Sequence, residues 1–144
     1  MAEQRKPSAR YEEIALRLIA EEECLFHIAA SEARIAFLAS DAKKKHHGKA
    51  VFGQCERVPS KWQWSVPYDF AITIYEPNVM GFDDGRIRIL LLHELLHIGI
   101  DRGEEGESYH IVPHDVEDFG EVMNRFGNEW YLAPVHAPML AMAT

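Results

Sequence analysis

Apolar and charged positions alternate along this chain in patterns that change period several times. From Tyr11 to Ala30, Ile14, Leu18, Leu25 and Ile28 recur between charged residues. That spacing predicts an amphipathic helix. Residues 1–9 before it are polar and read as a flexible lead. Ala33 to Ala39 is a first strand candidate, and Lys49 to Val58, alternating after the Gly48 turn, is a second. Pro59 to Pro67 reads as a loop carrying Trp62 and Trp64, and Asp69 to Glu76, bounded by Pro67 and Pro77, is the clearest strand. Asp83, Asp84 and Gly85 precede a second helix, which Gly99 and Gly103 are expected to close. Glu107 to Val112 reads as a short strand and Asp115 to Phe126 as a last helix, with an extended tail over residues 132–144. The order α-β-β-β-α-β-α predicts one α+β domain over residues 10–131. Its short mixed sheet is flanked by an N-terminal helix, the central helix and a C-terminal helix.

The central helix departs from the amphipathic pattern. From Arg86 to Ile100 it is apolar on nearly every side, so it reads as buried. Inside it stands His93-Glu94-Leu95-Leu96-His97, an H-E-x-x-H motif. Residues four apart share a helix face, so both imidazoles can reach one metal ion. Glu94 is placed to accept a proton from water at that metal. With eight His and sixteen Glu in 144 residues, chance would supply roughly 0.05 such motifs. Two His and a Glu in a buried helix carry a large desolvation cost, which a bound metal would offset.

Catalytic zinc takes three protein ligands and keeps a position for water. The longer H-E-x-x-H-x-x-G-x-x-H pattern is absent, because Ile100 stands where its Gly would be and Gly103 where its last His would be. His114, Glu117 and His110 are the candidates for the third ligand. His114 follows Pro113 at an element junction and is preferred; Glu117 lies twenty residues after His97.

His93-Glu-Leu-Leu-His97 and His114-Asp-Val-Glu-Asp-Phe119, separated by a short strand, resemble the phage metallopeptidase family. Its members are small single-domain zincins, more distantly similar to SprT-like proteins and minigluzincins. The resemblance covers residues 10 to 131, and its specific part is these two motifs. It implies His93, His97 and His114 as zinc ligands, Glu94 as the catalytic glutamate, and a phage or prophage source. No C-x-x-C pair follows, so the SprT-like zinc ribbon is missing.

Composition narrows the function classes. A net charge of −8 argues against general nucleic-acid binding, which needs basic surface. Lys43-Lys44-Lys45-His46-His47 is a local exception, read as a solvated loop. Cys24 and Cys55 have no metal-binding spacing, and Cys24 reads as a small core residue. The N-terminus lacks the apolar core of a signal peptide, and no segment has the ~18–20 apolar residues of a membrane span. The expected location is the cytoplasm, and the expected partner a peptide or protein substrate.

In zincin folds the strand before the metal helix borders the cleft, so Ala71 to Tyr75 is expected to offer an edge for an extended peptide. Tyr109 or His110 could donate to the developing oxyanion; Glu117 and Asp118 could orient ligating imidazoles. Trp62 and Trp64 are expected to pack at the core or its rim. Three functional classes fit: a zinc metallopeptidase, a zincin-fold binding protein with little turnover, and a structural zinc domain. Glu94 separates the last, since a closed structural site has no use for a glutamate beside its ligand.

Overall fold

The computed structural model describes residues 2–113. His114, Glu117, Asp118, the helix expected over Asp115–Phe126 and the tail over residues 132–144 lie outside the described residues. The elements run β1 (Arg5–Pro7), α1 (Ala9–Glu21), α2 (Phe26–Ala29), β2 (Ile35–Ser40), β3 (Lys45–His46), β4 (Lys49–Ala50), β5 (Gly53–Arg57), β6 (Phe70–Tyr75), α3 (Asp84–Leu95), β7 (Ile98–Gly103) and β8 (Gly106–Ile111). This is the small α+β arrangement expected, with a mixed sheet beside the motif helix.

The main sheet has the order β1-β2-β6-β5. β2 and β6 are parallel, with Phe37 level with Ile72, while β5 runs antiparallel to β6, with Cys55 level with Ile72. Side chains alternate across a strand. Phe70, Ile72 and Ile74 of β6 therefore enter the core beside α1 and α3, all fully buried. Thr73 and Tyr75 point to the opposite face, where Arg5 donates to Thr73 Oγ1 (3.1 Å) and Tyr75 Oη (3.4 Å).

That contact belongs to β1, which occupies part of the expected lead. Arg5, Lys6 and Pro7 pair antiparallel with Ser40, Ala39 and Leu38. Pro7 is tolerated because β1 is an edge strand. Ser8 then caps α1, its Oγ accepting from the Tyr11 N–H at 3.2 Å. Tyr11, Ala15 and Leu18 form the buried stripe of α1. Full burial of Leu18 alone contributes about 1.5–3 kcal/mol.

The single helix expected from Tyr11 to Ala30 is broken at Glu22, which is extended (φ −94°, ψ 122°). Glu22 is itself buried and lies 3.9 Å from Arg88 of α3. Turning that carboxylate inward interrupts the helix; Leu25 and Ile28 re-enter the core through the short turn and α2 that follow.

α3 starts at the Asp83 cap, whose side chain accepts from the Arg86 N–H at 3.0 Å. Ile87, Ile89, Leu90, Leu91, Leu92 and Leu95 are all buried, as its all-round apolar sequence predicts. It ends at Leu95, earlier than expected. Gly99 and Gly103 do not close it but lie in β7, which forms a hairpin with β8. An ideal Cβ on Gly99 would sit 2.2 Å from Nε2 of His110, its cross-strand partner, so a side chain there would push that half-exposed ring aside. Among the described residues no helix is long and apolar enough to cross a membrane.

Candidate metal centre

His93 lies in the last turn of α3, and His97 two residues beyond its end. The chain stays helical through that step, because Leu96 N–H donates to Leu92 (3.0 Å) and His97 N–H to the Glu94 carbonyl (3.1 Å). The rings consequently remain on one side, with centroids 5.3 Å apart. One ligand atom from each of His93, Glu94 and His97 can be chosen so that all lie within 4.8 Å of one another. Among the described residues this is the one group of three or more such side chains able to hold a metal ion.

His97 is held by main chain at both ends. Its carbonyl accepts from the Val112 N–H at 2.7 Å, and its Nδ1 lies 2.7 Å from the Val112 carbonyl oxygen. A carbonyl can only accept, so Nδ1 carries the proton, and in the neutral ring Nε2 carries the lone pair. Metal-binding imidazoles are commonly oriented in this way, through a hydrogen bond from the second nitrogen. The β7–β8 hairpin thus returns the chain to the motif and sets the tautomer of one of its histidines. It also brings residue 113 to the neighbourhood of the site.

Glu94 is buried, its side chain 5% exposed, with Oε2 4.0 Å from His93 Nε2. Across from it stands β5. An ideal Cβ on Gly53 would be 3.2 Å from Glu94 Oε2 and 3.3 Å from its Cγ. A side chain on residue 53 would require the carboxylate to give by a few tenths of an ångström. Cys55, two residues on, shares that face of β5; burial and the nearby Glu94 and Glu56 carboxylates push its thiol pKa up. The thiol is a packed neighbour of the glutamate, not an activated nucleophile.

The donor set suits a divalent metal ion: two imidazoles on one side of a helix end, one with its tautomer fixed, and a carboxylate beside them. Of the other expected site residues, the described ones, His110 and Tyr109, make their polar contacts elsewhere. His110 Nδ1 lies 3.0 Å from Asp101 Oδ2, outside the His93, Glu94 and His97 group. The Tyr109 hydroxyl donates to Glu107 Oε1 at 2.8 Å, and the same oxygen accepts from the Glu32 N–H at 3.0 Å. Burial and that carboxylate push the Tyr109 pKa up to about 12. An oxyanion role for Tyr109 requires its bond to Glu107 to break.

The edge expected at Ala71–Tyr75 is corrected by the strand order. β6 is paired on both sides, by β2 and β5. The strand facing Glu94 is β5, and among the described residues its outer side pairs with no strand. A glycine inside an alternating strand was the available signal, since it marks close backbone approach. The Val112 carbonyl had none, being main chain.

The family model described as "Putative phage metallopeptidase" matches residues 4–139. The chain belongs to that family. Residues 93–97 of the match carry the His, Glu and His group described above, with its buried glutamate, so membership and geometry converge on one place. Neither the curated proteins nor the solved structures give a match to the chain.

Proposed function

We propose that this member of the phage metallopeptidase family is a zinc-dependent peptidase, with His93, His97 and His114 as ligands and Glu94 as general base and acid. The observation carrying this reading is the buried carboxylate of Glu94 beside two imidazoles, one with its tautomer set by Val112. A zinc ion held by these imidazoles supplies Lewis acidity, polarising a scissile carbonyl and lowering the pKa of water. Glu94 accepts the proton from the attacking water and delivers it to the leaving amine. Burial of Glu94 keeps bulk water from competing for that proton. His114, in the second family motif, completes the ligand set.

β5 supplies the binding edge. Tyr75 N–H donates to the Phe52 carbonyl (2.9 Å) and Val58 N–H to that of Asp69 (2.9 Å), so hydrogen-bonded pairs fall on the even-numbered residues from 52 to 58. The main-chain N–H and C=O groups of Gly53, Cys55 and Arg57 consequently face outward. An extended peptide adding there would be aligned by main-chain hydrogen bonds, with a residue opposite Gly53 brought beside Glu94.

Elemental analysis of the purified protein, beside His97→Ala, tests the site: about one equivalent of zinc, lost in the variant, is expected. Cleavage of a denatured protein should then fall by a factor of about 10²–10⁴ in Glu94→Gln with zinc retained. Zinc retention with no cleavage by the parent protein would leave a binding protein, and unchanged turnover in Glu94→Gln would sink the proposed role of Glu94.

A further inference from the structure

We propose that the peptide taken by this site is bipolar, with acidic residues on one side of the scissile bond and apolar or aromatic residues on the other. This rests on the peptidase reading and on the surfaces at the two ends of β5. Gly53, beside Glu94, is its first residue and Arg57 its last.

Ahead of Gly53 stands the β3–β4 finger. It turns at His47 and Gly48, whose φ values of +50° and +76° are those of a tight hairpin turn. Its base is clamped: Val51 N–H donates to the Lys44 carbonyl at 3.1 Å, and Asn78 Nδ2 donates to the carbonyls of Lys44 (2.8 Å) and Val51 (2.7 Å). The finger and its base hold four of the chain's six lysines, in a protein of net charge −8. Lys43, Lys45 and Lys49 are exposed and take part in no ion pair among the described residues. Ala50 at the end of the finger lies three residues from Gly53.

Beyond Arg57 lies the loop to β6. Trp62 is 52% and Trp64 83% exposed, with Val66 (42%) and Tyr68 (40%) beside them in sequence. Packing at the core or its rim is expected of both tryptophans; Trp64 departs from it, while Trp62 stands half-exposed beside Lys61. Large apolar side chains grouped in water mark an interaction surface, and tryptophan is the side chain most enriched in binding hot spots.

An extended peptide rises about 3.4 Å per residue. Gly53 to Arg57 is therefore about 14 Å, or four residues. A peptide lying along β5 with its scissile bond near Glu94 would meet the lysines within a few residues on one side. On the other, its fourth to sixth residues would reach the tryptophan loop. The main-chain row between the two patches selects a peptide over a nucleic acid, since its donors and acceptors repeat at the spacing of an extended polypeptide.

Three labelled peptides of equal length test this against zinc-loaded full-length protein. One is acidic then apolar, one has Lys in place of its acidic residues, and one has Ser in place of its apolar residues. Anisotropy on Glu94→Gln reads binding, and cleavage by the parent protein reads turnover. The acidic–apolar peptide should bind and react about tenfold better than either other at low salt, with the charge preference fading at high salt. Lys45→Glu with Lys49→Glu should invert the order of the acidic and basic peptides, and Trp62→Ala with Trp64→Ala should erase the apolar preference. Equal or absent binding of all three, or preferences indifferent to these variants, would overturn the proposal. So would a single-stranded oligonucleotide that displaces the acidic peptide at lower concentration than the peptide itself binds. Ordered binding without cleavage would uphold it and overturn the peptidase reading; cleavage without charge or apolar preference would do the reverse.

Discussion

Gly53 and Glu94 approach so closely that an ideal Cβ on the glycine would lie 3.2 Å from the carboxylate oxygen. The same Cβ would meet Ile74 Cδ1 at 3.2 Å. Gly53→Ala is therefore expected to fold and keep its metal while displacing Glu94 by a few tenths of an ångström. Turnover should drop by roughly tenfold, and Gly53→Val should lose more, because small displacements of a reacting group are costly. Parallel measurement of kcat and zinc content checks this. Full kcat in Gly53→Val would mean that the close approach has no part in catalysis.

The contact of His97 with Val112 predicts a tautomer. Before metal is added, nitrogen-15 shifts should show His97 protonated at Nδ1, and zinc should perturb Nε2. Val112→Pro removes the N–H that holds the His97 carbonyl at 2.7 Å. Competition against a chelator should then give zinc affinity lower by about 10–100-fold. Unaltered affinity would mean that the hairpin merely passes the site.

Glu107 gives a pH signature. The Glu32 N–H and the Tyr109 hydroxyl hold its pKa below the usual 4.5. A depressed carboxylate contributes fully above its unfolded value, and the contribution is lost as pH falls through the lower folded value. The Glu32 amide resonance should therefore titrate with a midpoint below 4.5 and cease to do so in Glu107→Gln. A midpoint at or above 4.5 would mean that this corner of the β7–β8 hairpin is not closed by Glu107.

Cys55 should be a poor nucleophile. With its thiol pKa pushed up by burial and by Glu94, alkylation at pH 8, followed by peptide mass spectrometry, should be much slower in the native than in the unfolded chain. Fast native labelling would place β5 away from α3 in solution.

Much of this molecule is written locally. The helical periods of α1 and α3, the alternation of β5 and the flanking prolines of β6 each act over a few residues, so their elements can be read directly. Places where a distant contact outweighs local preference could not. Burial of Glu22 by Arg88 ends α1, and pairing with β2 turns a polar N-terminal segment into β1. Pairing of Gly99 with His110 makes a strand of residues that read as helix-stopping glycines.

The sequence by itself determined the chemistry on offer: two imidazoles and a carboxylate at helical spacing in an apolar helix, in a chain of this family. Those follow from side-chain type and the 3.6-residue period, which need no knowledge of the rest of the chain. Only the tertiary structure decided which strand faces Glu94, which atom orients His97, and what lies at the two ends of the edge. Strand order and main-chain hydrogen bonds are set by which distant surfaces pack together. No single segment carries that information.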